Sequence, residues 1–282
     1  MSFAHKIKRG IGEILRYFPA KVSVKTPVLY GEMLKGRTAL ITGGTGGIGL
    51  EISRAFLRNG ADIIITGRNE ARIQEKCKEL QDEFPSSNIY GGVLDNCNID
   101  GMDSQLSDIF SKTEKKIDIL VNNAGVLSKN DFGSATEDDY DKVMDTDLKG
   151  AYFITQIVAE YMKKNKVQGN ILNISSSSSI RPATNSYHLA KWGIRGLTKG
   201  LAKELIPFGI VVNGLAPGPT ATSMLTADNN INRPSAPNGR FSTPEEIANL
   251  AVVLVSDISK TVVGDTIFAS GGCGLLTYDD WN

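Results

Sequence analysis

The chain has 282 residues, 41% of them apolar, and its 31 basic side chains balance 31 acidic ones. The length suits one α/β domain with a sizeable core, and the zero net charge excludes the basic footprint of a nucleic-acid binder. Cys77, Cys97 and Cys273 are widely spaced, which predicts reduced thiols rather than a disulfide framework, and with His5 and His188 as the only histidines no metal site is expected.

Residues 1–36 are basic, with Ile7, Ile11, Leu15 and Phe18 at helical spacing and Pro19 placed to end a helix. This predicts an amphipathic arm packed on its own domain or a neighbouring subunit; a membrane-surface helix and disorder are the alternatives. No apolar run reaches the roughly 20 residues of a membrane span; the longest is IANLAVVLV at 247–255. The N-terminus lacks the apolar stretch of a signal peptide. A cytoplasmic protein without a transmembrane segment is expected.

From Arg37 short Val/Ile/Leu runs alternate with amphipathic stretches. TALIT (38–42) precedes a glycine loop and the helical IGLEISRAFLRNG. ADIIITG (61–67) precedes NEARIQEKCKELQDEF, and NIYGGVLD (88–95) follows. IDILVNNAG (117–125) leads to one long helix, YDKVMDTDLKGAYFITQIVAEYMKKN. GNILNIS (169–175) leads to YHLAKWGIRGLTKGLAKELIPFG, and IVVNGLAPG (210–218) and GDTIFASGG (264–272) are the last strands. This alternation predicts βαβ units in a Rossmann-type, doubly wound parallel sheet, a single domain over residues 37–282. Residues 223–243 carry two prolines and few large apolar residues and read as a substrate lid.

TGGTGGIG (42–49) stands between a strand and a helix, with Gly43, Gly47 and Gly49 in GxxxGxG spacing. Such a loop lets the backbone approach a pyrophosphate at a helix N-terminus. An NAD-binding unit usually has an acid about 20 positions on for the ribose 2′-OH. Here Gly67 occupies that place and Arg68 follows, a residue suited to a 2′-phosphate. NADP(H) is therefore the favoured cofactor, with NAD(H) kept open.

Residues 173–191 read NISSSSSIRPATNSYHLAK. Tyr187 and Lys191, one helical turn apart, share a face. A free tyrosine is a poor acid–base catalyst at neutral pH, but a nearby ammonium favours its phenolate. With a serine to hold a carbonyl oxygen, the pair becomes a proton donor for carbonyl reduction.

From about Lys35 to Gly272 the chain resembles the classical short-chain dehydrogenases/reductases, carried by TGGTGGIG, Asp95 after the third strand, NNAG (122–125), YHLAK and PGPTAT (217–222) in order. The resemblance implies cofactor contacts from Gly43, Thr45, Gly47, Ile48, Gly49, Arg68, Asp95, Asn96, Asn123, Ala124, Gly125, Tyr187, Lys191, Pro217, Gly218, Thr220 and Thr222. It implies Tyr187 as acid/base, tuned by Lys191. Counting the family's usual serine spacing back from Tyr187 reaches Ile174, which has no hydroxyl. The strand pattern NIS-S instead places Ser176 in the role, with a shorter loop, Ser175 as its nearest rival and Ser177 behind. Asp147 stands where relatives commonly keep an asparagine thought to hold a relay water; it is either part of that relay or only a helix residue.

These readings converge on an NADP(H)-dependent oxidoreductase interconverting a ketone and a secondary alcohol, acting on a small molecule. The resemblance implies a homodimer or homotetramer built through the two long helices. A nucleotide-binding regulatory member with weak or lost turnover is the alternative, and a nucleotide-sugar epimerase or dehydratase is a third. Asn229, Asn230, Asn232, Arg233, Asn238 and Arg240 in the lid, with Arg181 and Asn185, lean toward a polar, sugar-like or anionic substrate, while 3-oxoacyl carrier-protein reductases share the same motifs.

Overall fold

The computed structural model describes residues 31–222 and 231–275. Seven strands, β1 (Thr38–Ile41), β2 (Asp62–Gly67), β3 (Ile89–Val93), β4 (Ile119–Asn122), β5 (Asn170–Ile174), β6 (Val211–Pro217) and β7 (Thr266–Ala269), form one sheet in the order β3-β2-β1-β4-β5-β6-β7. Every neighbouring pair is parallel. The winding reverses between β1 and β4, where a doubly wound sheet opens a crevice at the carboxyl ends of its strands.

The helices are α1 (Gly47–Arg58), α2 (Glu70–Glu83), α3 (Ile99–Phe110), α4 (Glu137–Val143), α5 (Gly150–Lys164), α6 (Ser186–Leu205) and α7 (Pro244–Val255). The apolar strands feed two cores because their side chains alternate. Ala39, Ile41, Ile63, Ile65, Ile119 and Val121 pack with Ile52, Phe56, Ile247 and Ala251 of α1 and α7. Leu40, Ile64 and Leu120 face the other way onto Met102, Leu106, Ile154 and Val158 of α3 and α5. Each such side chain contributes up to about 1.5–3 kcal/mol on burial, which explains why strands covered on both sides read as continuous apolar runs.

The helix starts are written in short polar residues. Asn69 accepts the Arg72 N–H at α2 and Asn185 accepts the His188 N–H at α6. Thr243 and Glu246 form a reciprocal capping box at α7, with Pro244 at its first position. At the edge of the sheet α2 and α3 lie directly on β3. A Cβ on Gly91 would stand 2.4 Å from Ile73 Cγ2, and one on Gly92 2.4 Å from Ile109 Cγ1.

Two elements differ from the sequence reading. Helix α3 was not anticipated, although Asn98 caps it and Met102, Leu106 and Ile109 are buried along one face. The single long helix expected over 140–165 is broken into α4, a π-helical turn at Met144–Lys149, and α5. Within that turn Thr146 Oγ1 donates to Lys142 O at 2.7 Å and the Asp147 carboxylate accepts the Val126 N–H at 2.7 Å. The first bond ties the turn back to α4 and the second ties it to the segment after β4, and π-turns of this kind recur at functional sites.

Of the expected arm, residues 1–30 lie outside the described residues; residues 31–36 pack on the domain, with Leu34 fully buried. Of the expected lid, residues 223–230, with Asn229 and Asn230, also lie outside them, while 231–243 return to the domain with Ile231, Ala236 and Ser242 buried. Among the described residues no helix is long and apolar enough to cross a membrane.

Candidate active site

The loop after β1 and the NNAG segment after β4 are stitched together across the crevice. Thr42 Oγ1 accepts the N–H groups of Asn123 and Ala124 at 3.0 and 3.1 Å. Asn123 Nδ2 donates to the carbonyls of Thr42 and Gly43 at 3.0 and 3.2 Å. This closeness requires glycine. Gly43 has φ +64°, and a Cβ on Gly49 would stand 2.4 Å from both Asn123 Nδ2 and Gly43 O.

Two adjoining cavities of about 430 and 720 Å³ open over the strand ends, within the roughly 300–1,000 Å³ of small-molecule sites. The first brings together Gly43, Thr45, Gly47, Ile48, Asn123, Ala124, Gly125, Asp147, Ser176, Tyr187, Lys191, Pro217, Gly218, Thr220 and Thr222. Arg68, Asp95 and Asn96 line the second, with Gly67 and Thr146. Gly49 lines neither; it lies behind the loop and lets α1 close against it. The Asn96 side chain donates to Thr146 O at 3.1 Å, so it also braces the π-turn. A glycine loop at a helix start, and a second cavity with Gly67 and Arg68 where an acid would otherwise stand, fit a phosphate-bearing dinucleotide.

Tyr187 and Lys191 lie on the first turns of α6, with the ammonium 5.5 Å from the centre of the tyrosine ring. Lys191 is almost wholly buried, donates to Ile174 O at 3.2 Å, and stands 3.1 Å from Asp147 Oδ2. Asp147 therefore faces the lysine. Its Oδ1 accepts the Val126 N–H, while its Oδ2 meets the ammonium without well-aligned hydrogen-bond geometry. Burial pulls the lysine's pKa down, but the charges of Asp147 and Tyr187, with the Asp147 contact, outweigh it and hold the ammonium above the usual lysine range. Burial pushes the Asp147 carboxyl up, opposed by Lys191 and by the Val126 N–H.

The serine run divides by direction. Ser175 also lines the first cavity, but its Oγ donates to Lys191 O at 3.1 Å, tying the end of β5 to α6. Ser176 Oγ accepts the Ser178 N–H at 3.1 Å, and its residue lines the first cavity. Ser177 is buried and does not line that cavity, and Ser179 Oγ donates to Ser176 O at 2.7 Å.

Several residues were missed by the sequence reading. Asn122 Nδ2 donates to Thr155 Oγ1 and Asn173 Oδ1 at 2.7 and 2.8 Å, and Asn173 Nδ2 donates to Thr198 Oγ1 at 3.0 Å. This buried chain bolts α5 and α6 to β4 and β5. Arg72, which lines both cavities, was also missed; its spacing of four from Arg68 was the available signal. Conversely, among the described residues, the polar side chains that lean toward a polar substrate have internal partners. Arg181 reaches Cys273 O, and Asn185 holds Asp131 and the His188 N–H. Asn238 accepts the Arg240 N–H, Arg240 pairs with both oxygens of Glu246, and Arg233 lies over the Phe241 ring at 5.0 Å.

A parallel doubly wound sheet with a dinucleotide-type loop and a Tyr/Lys pair at its mouth defines a nucleotide-dependent oxidoreductase of the Rossmann type. The family model described as enoyl-(acyl carrier protein) reductase matches residues 43–274. The chain is 34% identical over 248 residues to a 3alpha-hydroxysteroid dehydrogenase of Mediterraneibacter gnavus, covering 85% of this chain and 97% of that one. A gluconate 5-dehydrogenase from Burkholderia cenocepacia in complex with NADP and tartrate superposes with a TM-score of 0.79 at 32% identity, covering 87% of this chain and 98% of that one. A 3-oxoacyl-[acyl-carrier protein] reductase from Brucella melitensis with bound NAD also gives 0.79, at 29% identity and with 91% and 99% covered. The chain belongs to the classical short-chain dehydrogenase/reductase family.

Proposed function

We propose that the protein is an NADP(H)-dependent oxidoreductase that interconverts a ketone and a secondary alcohol. The observation that carries this is the placement of Tyr187 and Lys191 on one face of α6, at a cavity shared with the glycine loop. When bound, the nicotinamide cofactor supplies or takes up the hydride. Tyr187 gives its phenolic proton to the carbonyl oxygen in reduction and recovers it in oxidation. The Lys191 ammonium stabilises the phenolate left behind and holds the nicotinamide ribose. Ser176, whose hydroxyl proton is free to donate while its oxygen accepts from Ser178, polarises the carbonyl. Asp147 acts through Lys191 rather than on the substrate.

NADP(H) is favoured by Gly67 and Arg68 and by the NADP-bound relative; the NAD-bound relative keeps NAD(H) as the alternative. Arg181, Asn185, Asn238 and Arg240 are engaged internally and lend an anionic or sugar-like substrate little support, whereas the gluconate 5-dehydrogenase relative in complex with tartrate favours that class. The choice between a 3-oxoacyl and a small polar ketone rests on a panel of ketones assayed by NADPH oxidation. Tyr152, Leu189 and Trp192, exposed on α5 and α6, support a homodimer or homotetramer built through these helices. The test of mechanism is Tyr187→Phe, which should retain cofactor binding and lose at least about 100-fold in turnover. Undiminished turnover in a folded Tyr187→Phe protein would sink the mechanism.

A further inference from the structure

We infer that Arg72 is a specificity residue of the cofactor site, forming with Arg68 a two-armed clamp for a phosphomonoester on the adenosine ribose. The inference rests on the NADP(H) reading and adds a residue to it. Arg72 lies in the first turn of α2 and lines both cavities, whereas Arg68 lines only the second. Its Nε donates to Thr45 O at 3.2 Å, in the middle of the glycine loop. A Cβ on Gly46 would stand 3.0 Å from its Nη2, so the guanidinium is laid against that loop.

The anchoring leaves a particular set of donors. A guanidinium has five N–H groups in a rigid fork. The bond to Thr45 spends one, and among the described residues no hydrogen bond or ion pair engages the Nη groups. Arg68 likewise makes no hydrogen bond or ion pair there. Arg68 and the Nη groups of Arg72 therefore border the cavity with uncommitted donors at the ribose end, where Gly67 offers no acid to repel a phosphate. Forks of this kind bind phosphate oxygens in pairs, which a lysine cannot do. Glu70 and Asp95 also line the second cavity and are the anions the clamp must outweigh. Because the same side chain grips Thr45, a phosphate held by Arg72 also braces the glycine loop.

The experiment measures calorimetric binding of 2′,5′-ADP and 5′-AMP, which differ only in the 2′-phosphate, to the full chain and to its Arg68→Ala, Arg72→Ala and Arg72→Lys variants. Wild type should favour 2′,5′-ADP. Arg72→Ala should weaken 2′,5′-ADP by roughly 10- to 100-fold, the scale of a lost charged hydrogen bond, and leave 5′-AMP within about twofold. Arg72→Lys, which keeps the charge without the fork, should fall between. Thermal melts verify folding, and the exposed position of Arg72 makes the substitutions tolerable. Equal weakening of both probes would place Arg72 at the pyrophosphate and overturn the inference, as would no weakening of either, while a 2′,5′-ADP-specific loss in Arg68→Ala would still uphold the NADP(H) reading. A wild type that binds both probes equally would overturn that reading and the clamp with it.

Discussion

Replacing Asp147 by asparagine removes one negative charge from the acid/base centre and keeps nearly the same shape. The carboxylate is buried and its Oδ2 stands 3.1 Å from Lys191 Nζ. At that distance and an effective dielectric of about 20 the attraction is about 5 kcal/mol, close to the roughly 3–5 kcal/mol lost when one member of a buried pair is removed. Losing that attraction lowers the pKa of the Lys191 ammonium. The direction follows from Lys191, whose pKa is raised despite burial because Asp147 and Tyr187 face it. Without the carboxylate, burial has less to oppose it, and the lysine sheds its proton at lower pH. Profiles of kcat against pH should therefore move toward lower pH in both reaction directions in Asp147→Asn. In stability terms, a raised lysine pKa gives a contribution fully present below the ordinary lysine value and lost as pH rises through the folded one. The advantage of wild type over Asp147→Asn in urea melts should thus be largest near neutral pH and shrink as pH rises through the folded lysine value. Asp147→Ala, which also strips the Val126 N–H of its acceptor, should be the less stable variant. Superimposable kcat profiles for wild type and a folded Asp147→Asn would refute the coupling.

Ser176→Ala should slow turnover with little loss of stability, whereas Ser175→Ala should chiefly cost about 1 kcal/mol in urea melts, because its hydroxyl bonds Lys191 O; a costlier rate effect at Ser175 would reassign the catalytic serine. Asn173→Leu should destabilise by roughly 1–3 kcal/mol, since it leaves partners in the buried network unpaired; unchanged stability would mean that the network is dispensable.

The central strands were legible because a strand covered on both faces needs little but apolar residues, and β1, β2 and β4 are short buried runs of them. Tyr187, Lys191 and the glycine loop were legible because their partners are local: one helical turn, one strand-to-helix connection. What was not legible depends on contacts distant in sequence. The π-turn is held by Val126 and Lys191, neither of which the stretch around Asp147 announces. Arg240 looks like a substrate ligand until Glu246 is folded back onto it. Asn122 and Asn173 read as ordinary strand ends, and their role exists only where Thr155 and Thr198 meet them. Helix α3 is different: its apolar spacing was in the sequence and simply went unnoticed.

The two glycines of β3 carry a consequence for how such an enzyme can drift. Ile73 adjoins Arg72 in α2, and it presses into the space that a side chain on Gly91 would occupy. A single methyl there would have to push Ile73 back by about 1 Å to reach ordinary van der Waals distance, and the first turn of α2 would tip with it. The guanidinium would then lose its seat on Thr45 although nothing that touches the cofactor had been altered. With Arg72 in the proposed clamp, the edge of the sheet acts as a lever on which reservoir of cellular reducing power such an enzyme draws upon.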